Sequence, residues 1–334
     1  MRKALAIFSV IALALGCSSQ DDAAPSARST PGEPSFTWSE AAPCPVPRFE
    51  AMAAAVGGEV WVMGGFLSSA LDVTTRIDIY DPSTDSWRLG PELPGAQTHA
   101  GVVNVGDDIV LAGGFVGNVL DRVTTAGVWR WNAGDASFGA GPDLPTARAG
   151  VAMALVGNEI HAAGGLAEDG NTDSGAHVVW DLASAGAWTS APPLANPRNH
   201  GGGAAAGGLF YAIAGRHGWD EIRGDDPELD AFDPTTASWQ VRAPMPLERS
   251  EIGAATLVTS DGRLLVIGGS IPGKLPSADV LVYDPKADVW SSLPSLPEPR
   301  KGVAAARVGS KVIVTTGSPT STDPSATTYV GCCL

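Results

Sequence analysis

The 334-residue sequence predicts an all-β fold: six four-stranded antiparallel sheets arranged as a closed ring. Three residue series predict it. A Gly-Gly mark recurs at Gly64-Gly65, Gly113-Gly114, Gly164-Gly165, Ala214-Gly215, Gly268-Gly269 and Thr316-Gly317, spaced 49, 51, 50, 54 and 48 residues apart on its second member. An aromatic before a turn runs Tyr80, Trp131, Trp180, Phe232, Tyr283 and Tyr329. Seven or eight residues after each of the first five stands Trp87, Phe138, Trp188, Trp239 or Trp290. Series that share a period near 50 mark a repeated supersecondary unit that buries its faces only by stacking on copies of itself.

The stretch Glu251–Arg300 shows the unit whole. Small residues Gly253 to Val258 lead to an Asp261-Gly262 turn, and the apolar run Leu264–Ile267 closes on Gly268-Gly269. After a polar loop come Val280-Leu281-Val282-Tyr283-Asp284-Pro285, then Trp290, then the link ending in Arg300. Four short β-rich runs between turn residues read as a meander. First strands crowd the ring axis, which explains Ala53-Ala54-Ala55 and Gly201 through Ala206. Turns such as Gly57-Gly58 and Gly207-Gly208 supply the positive φ of a tight hairpin. The diglycine lets neighbouring backbone approach, and the Trp packs between sheets. The sixth copy ends at Thr328-Tyr329-Val330 without its Trp. Trp38 lies 49 residues before Trp87, and Pro45-Val46-Pro47-Arg48 matches Pro297-Glu298-Pro299-Arg300. The N-terminal strand is therefore expected to complete the last sheet and remove the open edges.

These marks resemble the kelch repeat over about residues 37–331. The resemblance implies a six-bladed β-propeller of four-stranded antiparallel blades.

Residues 1–16 read as a lipoprotein signal peptide: Arg2-Lys3, then an apolar run from Ala4 to Leu15 too short to span a bilayer. Leu13-Ala14-Leu15-Gly16-Cys17 resembles the bacterial lipobox, with Ala14 where Leu is usual. That resemblance implies cleavage before Cys17, lipidation of Cys17, and export to the cell envelope, at the outer membrane. Residues 17–36 read as a flexible tether, and 37–334 as the propeller. The formal charge of −15 becomes −17 after cleavage, which argues against a nucleic-acid partner. A monomer is expected.

In a meander, the link before the first strand and the loop after the diglycine share one face, and that face carries the long loops. At one position of the link stand Arg48, Gln97, Arg148, Arg198, Arg249 and Arg300, beside Glu50, His99, Asn199, His200, Ser250, Glu251 and Lys301. Five guanidinium groups ringing the channel mouth would suit a carboxylate or phosphate. The alternative is that each Arg pairs with a nearby carboxylate and ties blades together. Kelch adaptor proteins use similarly placed arginines on acidic peptides, so the resemblance implies an acidic peptide or protein, or an anionic small molecule. The loop Arg216-His217-Gly218-Trp219-Asp220-Glu221 adds further candidates in Arg216, His217 and Trp219. An ordinary solvated insertion is the other reading of that loop.

Asp169, Asn171 and Asp173 lack the Gly and Glu of a calcium loop. No metal, cofactor or catalytic residue is expected, and no galactose-oxidase cluster is found. Cys44 and Cys332 fall six strand residues apart in register, about 20 Å, too far for a disulfide. Three functions remain: a binding module using the Arg-rich face, an enzyme on anionic sugars similar to the sialic-acid mutarotase, and a structural envelope protein.

Overall fold

The computed structural model describes residues 36–117, 121–184, 186–218 and 224–332. Cys17 with the rest of the expected leader, tether residues 17–35, Trp219 and Cys333 lie outside the described residues. Glycines at positive φ turn the first hairpin where expected, with Gly57 at 56° and Gly58 at 86°. Six four-stranded antiparallel sheets follow from such hairpins among the described residues. Their first strands are Met52–Val56, Gly101–Val105, Ala152–Val156, Gly202–Ala206, Thr256–Val258 and Ala304–Val308. Each is the neighbour of the next, and the sixth returns to the first, which closes a ring. The fifth departs from expectation: Gly253–Ala255 forms a 3-10 turn, so its strand starts at Thr256.

Closure comes from Thr37–Ala41, which pairs antiparallel with Thr328–Cys332 as the outer strand of the sixth sheet. Trp38 lies opposite Gly331, where any side chain would strike Phe36 or Trp38. The apolar core sits between sheets rather than inside any one of them. Met52, Trp61 and Ile79 of the first sheet pack with Ile109, Leu111 and Trp131 of the second, and similar clusters join each later pair. Small first-strand residues leave an axial cavity of about 200 Å³.

The rim is stitched by the repeated Trp. Trp87 Nε1 donates to Ala42 O, Trp188 to Pro142 O, Trp239 to Pro192 O, Trp290 to Ala243 O and Trp38 to Pro294 O, each at 2.7–2.8 Å. Each bond reaches the preceding sheet. Phe138 of the second sheet has no N–H to give.

The diglycine is the second stitch. The N–H of its second residue donates to the carbonyl of the link residue entering the next sheet: Gly65 to Gln97, Gly114 to Arg148, Gly165 to Arg198, Gly215 to Arg249, Gly269 to Arg300 and Gly317 back to Arg48. A Cβ on Gly113 would lie 2.4 Å from Arg148 O, so a side chain there would break the stitch.

Cys44 is buried and Cys332 half-buried, and no disulfide joins them among the described residues. Asp169 caps its own loop by accepting from the backbone N–H of Asn171 and Thr172.

Candidate functional site at the channel mouth

The link arginines are the first correction. Arg48, Arg148, Arg198, Arg249 and Arg300 are at most 3% exposed, so five guanidinium groups do not ring the mouth. Their carbonyls are bound to the preceding sheet, and their side chains run into their own sheet. Arg148 donates to Gly164 O and Ala176 O, Arg249 to Gly268 O and Asp279, and Arg300 to Thr316 O, Ser325 and Glu298. Arg198 pairs with buried Asp230 at 2.7 Å, and Arg48 with buried Asp78. Gln97 occupies the same slot, donating to Gly113 O. Of the alternative reading, in which each Arg pairs with a nearby carboxylate and ties blades together, the carboxylate is present for Arg48, Arg198, Arg249 and Arg300, while the tie between sheets is made by the link carbonyls rather than by the side chains. Arg148 meets carbonyls and no carboxylate among the described residues, and burial pushes it down to about 10.

Two residues further along each link, the chain turns toward the axis. Glu50, His99, Gly150, His200, Glu251 and Gly302 all hold φ between 53° and 66°. They form a hydrogen-bonded hoop across all six sheets. Glu50 N donates to Gly302 O, Gly302 N to Glu251 O, Ile252 N to His200 O, His200 N to Gly150 O and Gly150 N to His99 O. The Thr98 hydroxyl completes it on Glu50 O at 2.7 Å. Inside the hoop is a cavity of about 40 Å³, room for a water molecule or two.

Above the hoop opens a cleft of about 350 Å³. Links contribute Phe49, Glu50, His99, Glu251 and Lys301, and the loops after the diglycines contribute Phe66, Leu71, Arg122, Arg216, Lys274, Ser321 and Thr322. Links and these loops thus share one face. Arg122 lies over the ring of Phe115 at 4.7 Å and that of Phe66 at 5.9 Å, a stacked cation. Arg216 donates to Glu251 at 3.1 Å and to His200 Nε2 at 3.0 Å, while Lys301 meets Glu251 at 3.3 Å. Because Arg216 can only donate, His200 presents a lone pair at Nε2 and gives its Nδ1–H to Asn199. Burial and the nearby cations push His99 and His200 well below the usual imidazole range. Burial, then the neighbouring Glu251, pushes Glu50 up to about 8.

Of the residues the sequence singled out, His99, His200, Glu251 and Arg216 meet at this mouth. Asn199 is buried behind them, holding Asp173, Gly218 O and His200. His217 is turned aside onto Asp226 and Pro197 O. Glu50 and Lys301 carried a signal as neighbours of the link arginines. Arg122 and Lys274 carried none, since neither falls in a repeated series of the sequence. Among the described residues, no group of His, Cys, Asp and Glu is placed to hold a metal ion.

Comparison with known proteins agrees with the architecture. The Kelch motif matches residues 47–94 and 253–297, which hold the first and fifth sheets. The chain is 28% identical over 246 residues to Kelch-like protein terF of Aspergillus terreus, covering 70% of this chain and 52% of that one. It is 24% identical to Kelch-like protein 25 of Xenopus tropicalis, over 55% of this chain and 31% of that protein. It is 31% identical to Beta-scruin of Limulus polyphemus, over 35% and 13%. The chain spans about half or less of the length of these relatives. With six four-stranded antiparallel sheets among the described residues and the motif in two of them, the chain is similar to kelch-repeat proteins, and the matches support reading it as one.

Proposed function

We propose that this protein is an interaction module whose channel mouth takes an anionic group, either a small carboxylate or an acidic side chain of a partner protein. The observation that carries the reading is the cleft itself. Arg122, Arg216, Lys274 and Lys301 converge on it in a chain of net charge −15. Local positive potential inside an acidic surface concentrates anions. The similarity to kelch-like proteins supports a protein partner. A thermal-shift screen with sialic acids, uronates, phosphates and acidic peptides, followed by calorimetry, tests it. Arg122→Gln and Lys301→Gln should each weaken binding severalfold with the fold intact. Unchanged affinity in both variants refutes the reading.

Envelope anchoring through Cys17 belongs to the same proposal, and incorporation of labelled palmitate that Cys17→Ala abolishes is its test. A second reading, acid–base chemistry on an anionic sugar, draws on Glu50, a carboxyl pushed up to about 8 at the floor of the cleft. Interconversion of sialic-acid anomers, followed by NMR, should then be faster with the protein than with Glu50→Gln. Equal rates would dismiss it.

A further inference from the structure

Glu50 and Glu251 come from links two sheets apart, with Gly302 between them in the hoop. A Cβ on Gly302 would lie 3.1 Å from the Glu50 carboxyl carbon, so the missing side chain is what lets Glu50 reach across to Glu251. The two side chains are 13% and 8% exposed. Glu50 and Glu251 hydrogen-bond through their side chains, and carboxyls paired in so dry a place share a proton more readily than they both ionise.

Hydrogen-bond roles around His99 point the same way. The Thr98 hydroxyl gives its proton to Glu50 O, so its oxygen accepts from His99 Nδ1–H at 3.0 Å. His99 Nε2 then turns a lone pair toward Glu50 Oε2 at 3.3 Å. That contact is repulsive against a carboxylate and attractive against a carboxylic acid.

Resting on the proposed anion site, we propose that the mouth takes its anion together with a proton held between Glu50 and Glu251. An incoming carboxylate competes with Glu251 for Arg216 and Lys301, which Glu251 already engages. Ionised Glu50 would be a third negative group among the same cations. The charged or titratable groups around it are Glu251, Arg216, Lys301, Arg122, His99 and His200, with Lys274 across the cleft. The proton stays on the pair as the anion binds, and no bond is made or broken elsewhere. With Glu50 pushed up to about 8, affinity falls as the pH rises through that value.

The experiment is calorimetry at constant ionic strength from pH 6.5 to 9.5, with glucuronate and a Glu-rich peptide as probes. Wild-type Kd should rise about tenfold between pH 7 and 9.5. Glu50→Gln, which keeps the shape of the protonated acid, should bind with a flat profile. A flat wild-type profile, or the same rise in Glu50→Gln, overturns the proton linkage while leaving the anion site standing. Failure of both probes to bind removes the anion site, and carboxyl-carbon NMR then decides the shared proton. A Glu signal titrating near pH 8 and missing in Glu50→Gln supports the pair, and its absence overturns it.

Discussion

Lowering the pH should destabilise the junction of the third and fourth sheets through one buried pair. His161 and His177 face each other on adjacent strands, with Nδ1 of His161 3.0 Å from Nε2 of His177. They are packed on Phe210, Phe232 and Trp239. His177 Nδ1–H donates to Pro192 O, so its Nε2 must accept from His161, and both rings are neutral. Burial pushes His161 down to about 4. Burial, then the charge of His161, pushes His177 down to about 3. The unfolded chain takes up protons near the ordinary imidazole value of 6.5, so between pH 6.5 and about 4 it binds more protons than the folded one and stability falls as pH falls. At ~1.36 kcal/mol per unit, the step from pH 6.5 to 5 costs up to ~2 kcal/mol per histidine. Solvent screening lowers that to about 1–2 kcal/mol each. Glu50, pushed up to about 8, changes stability in the opposite direction, so the raw curve is not the readout. Urea unfolding at pH 7.5 and pH 5 should be compared for wild type and His161→Leu/His177→Leu. The stability lost on acidification should be about 2–4 kcal/mol larger in wild type. Parallel pH curves for the two proteins would refute the reasoning.

Three further outcomes are expected from the stitches, each read by chemical denaturation. Arg198→Met strands buried Asp230 and should cost about 3–5 kcal/mol, whereas Arg148→Met leaves no acid behind and should cost about 1–3 kcal/mol; equal costs would argue against the ion pair's importance. Trp188→Phe, which removes the N–H to Pro142 O, should cost about 1 kcal/mol with the same sheet content. Gly113→Ala should destabilise clearly more than Gly57→Ala, because both have positive φ but only the first meets a carbonyl at 2.4 Å.

Repeat spacing by itself determined the all-β class, the four-stranded unit and the pairing of Thr37–Ala41 with Thr328–Cys332. These follow from local chemistry: glycine where φ is positive or backbones touch, small residues at the axis, and an aromatic ring at each rim, an indole in five sheets and Phe138 in the second. That the links and the loops after the diglycines share one face was legible too, because a meander alternates ends with every strand. Which cations that face presents was not. Arg198 and Arg300 look like surface charges in sequence, yet the stitch made by their own carbonyls drives their side chains inward. Arg122, Lys274 and the approach of Glu50 to Glu251 depend on how loops from five separate sheets lean over one hoop. No spacing along the chain encodes a distance across a ring; only closure brings those residues together.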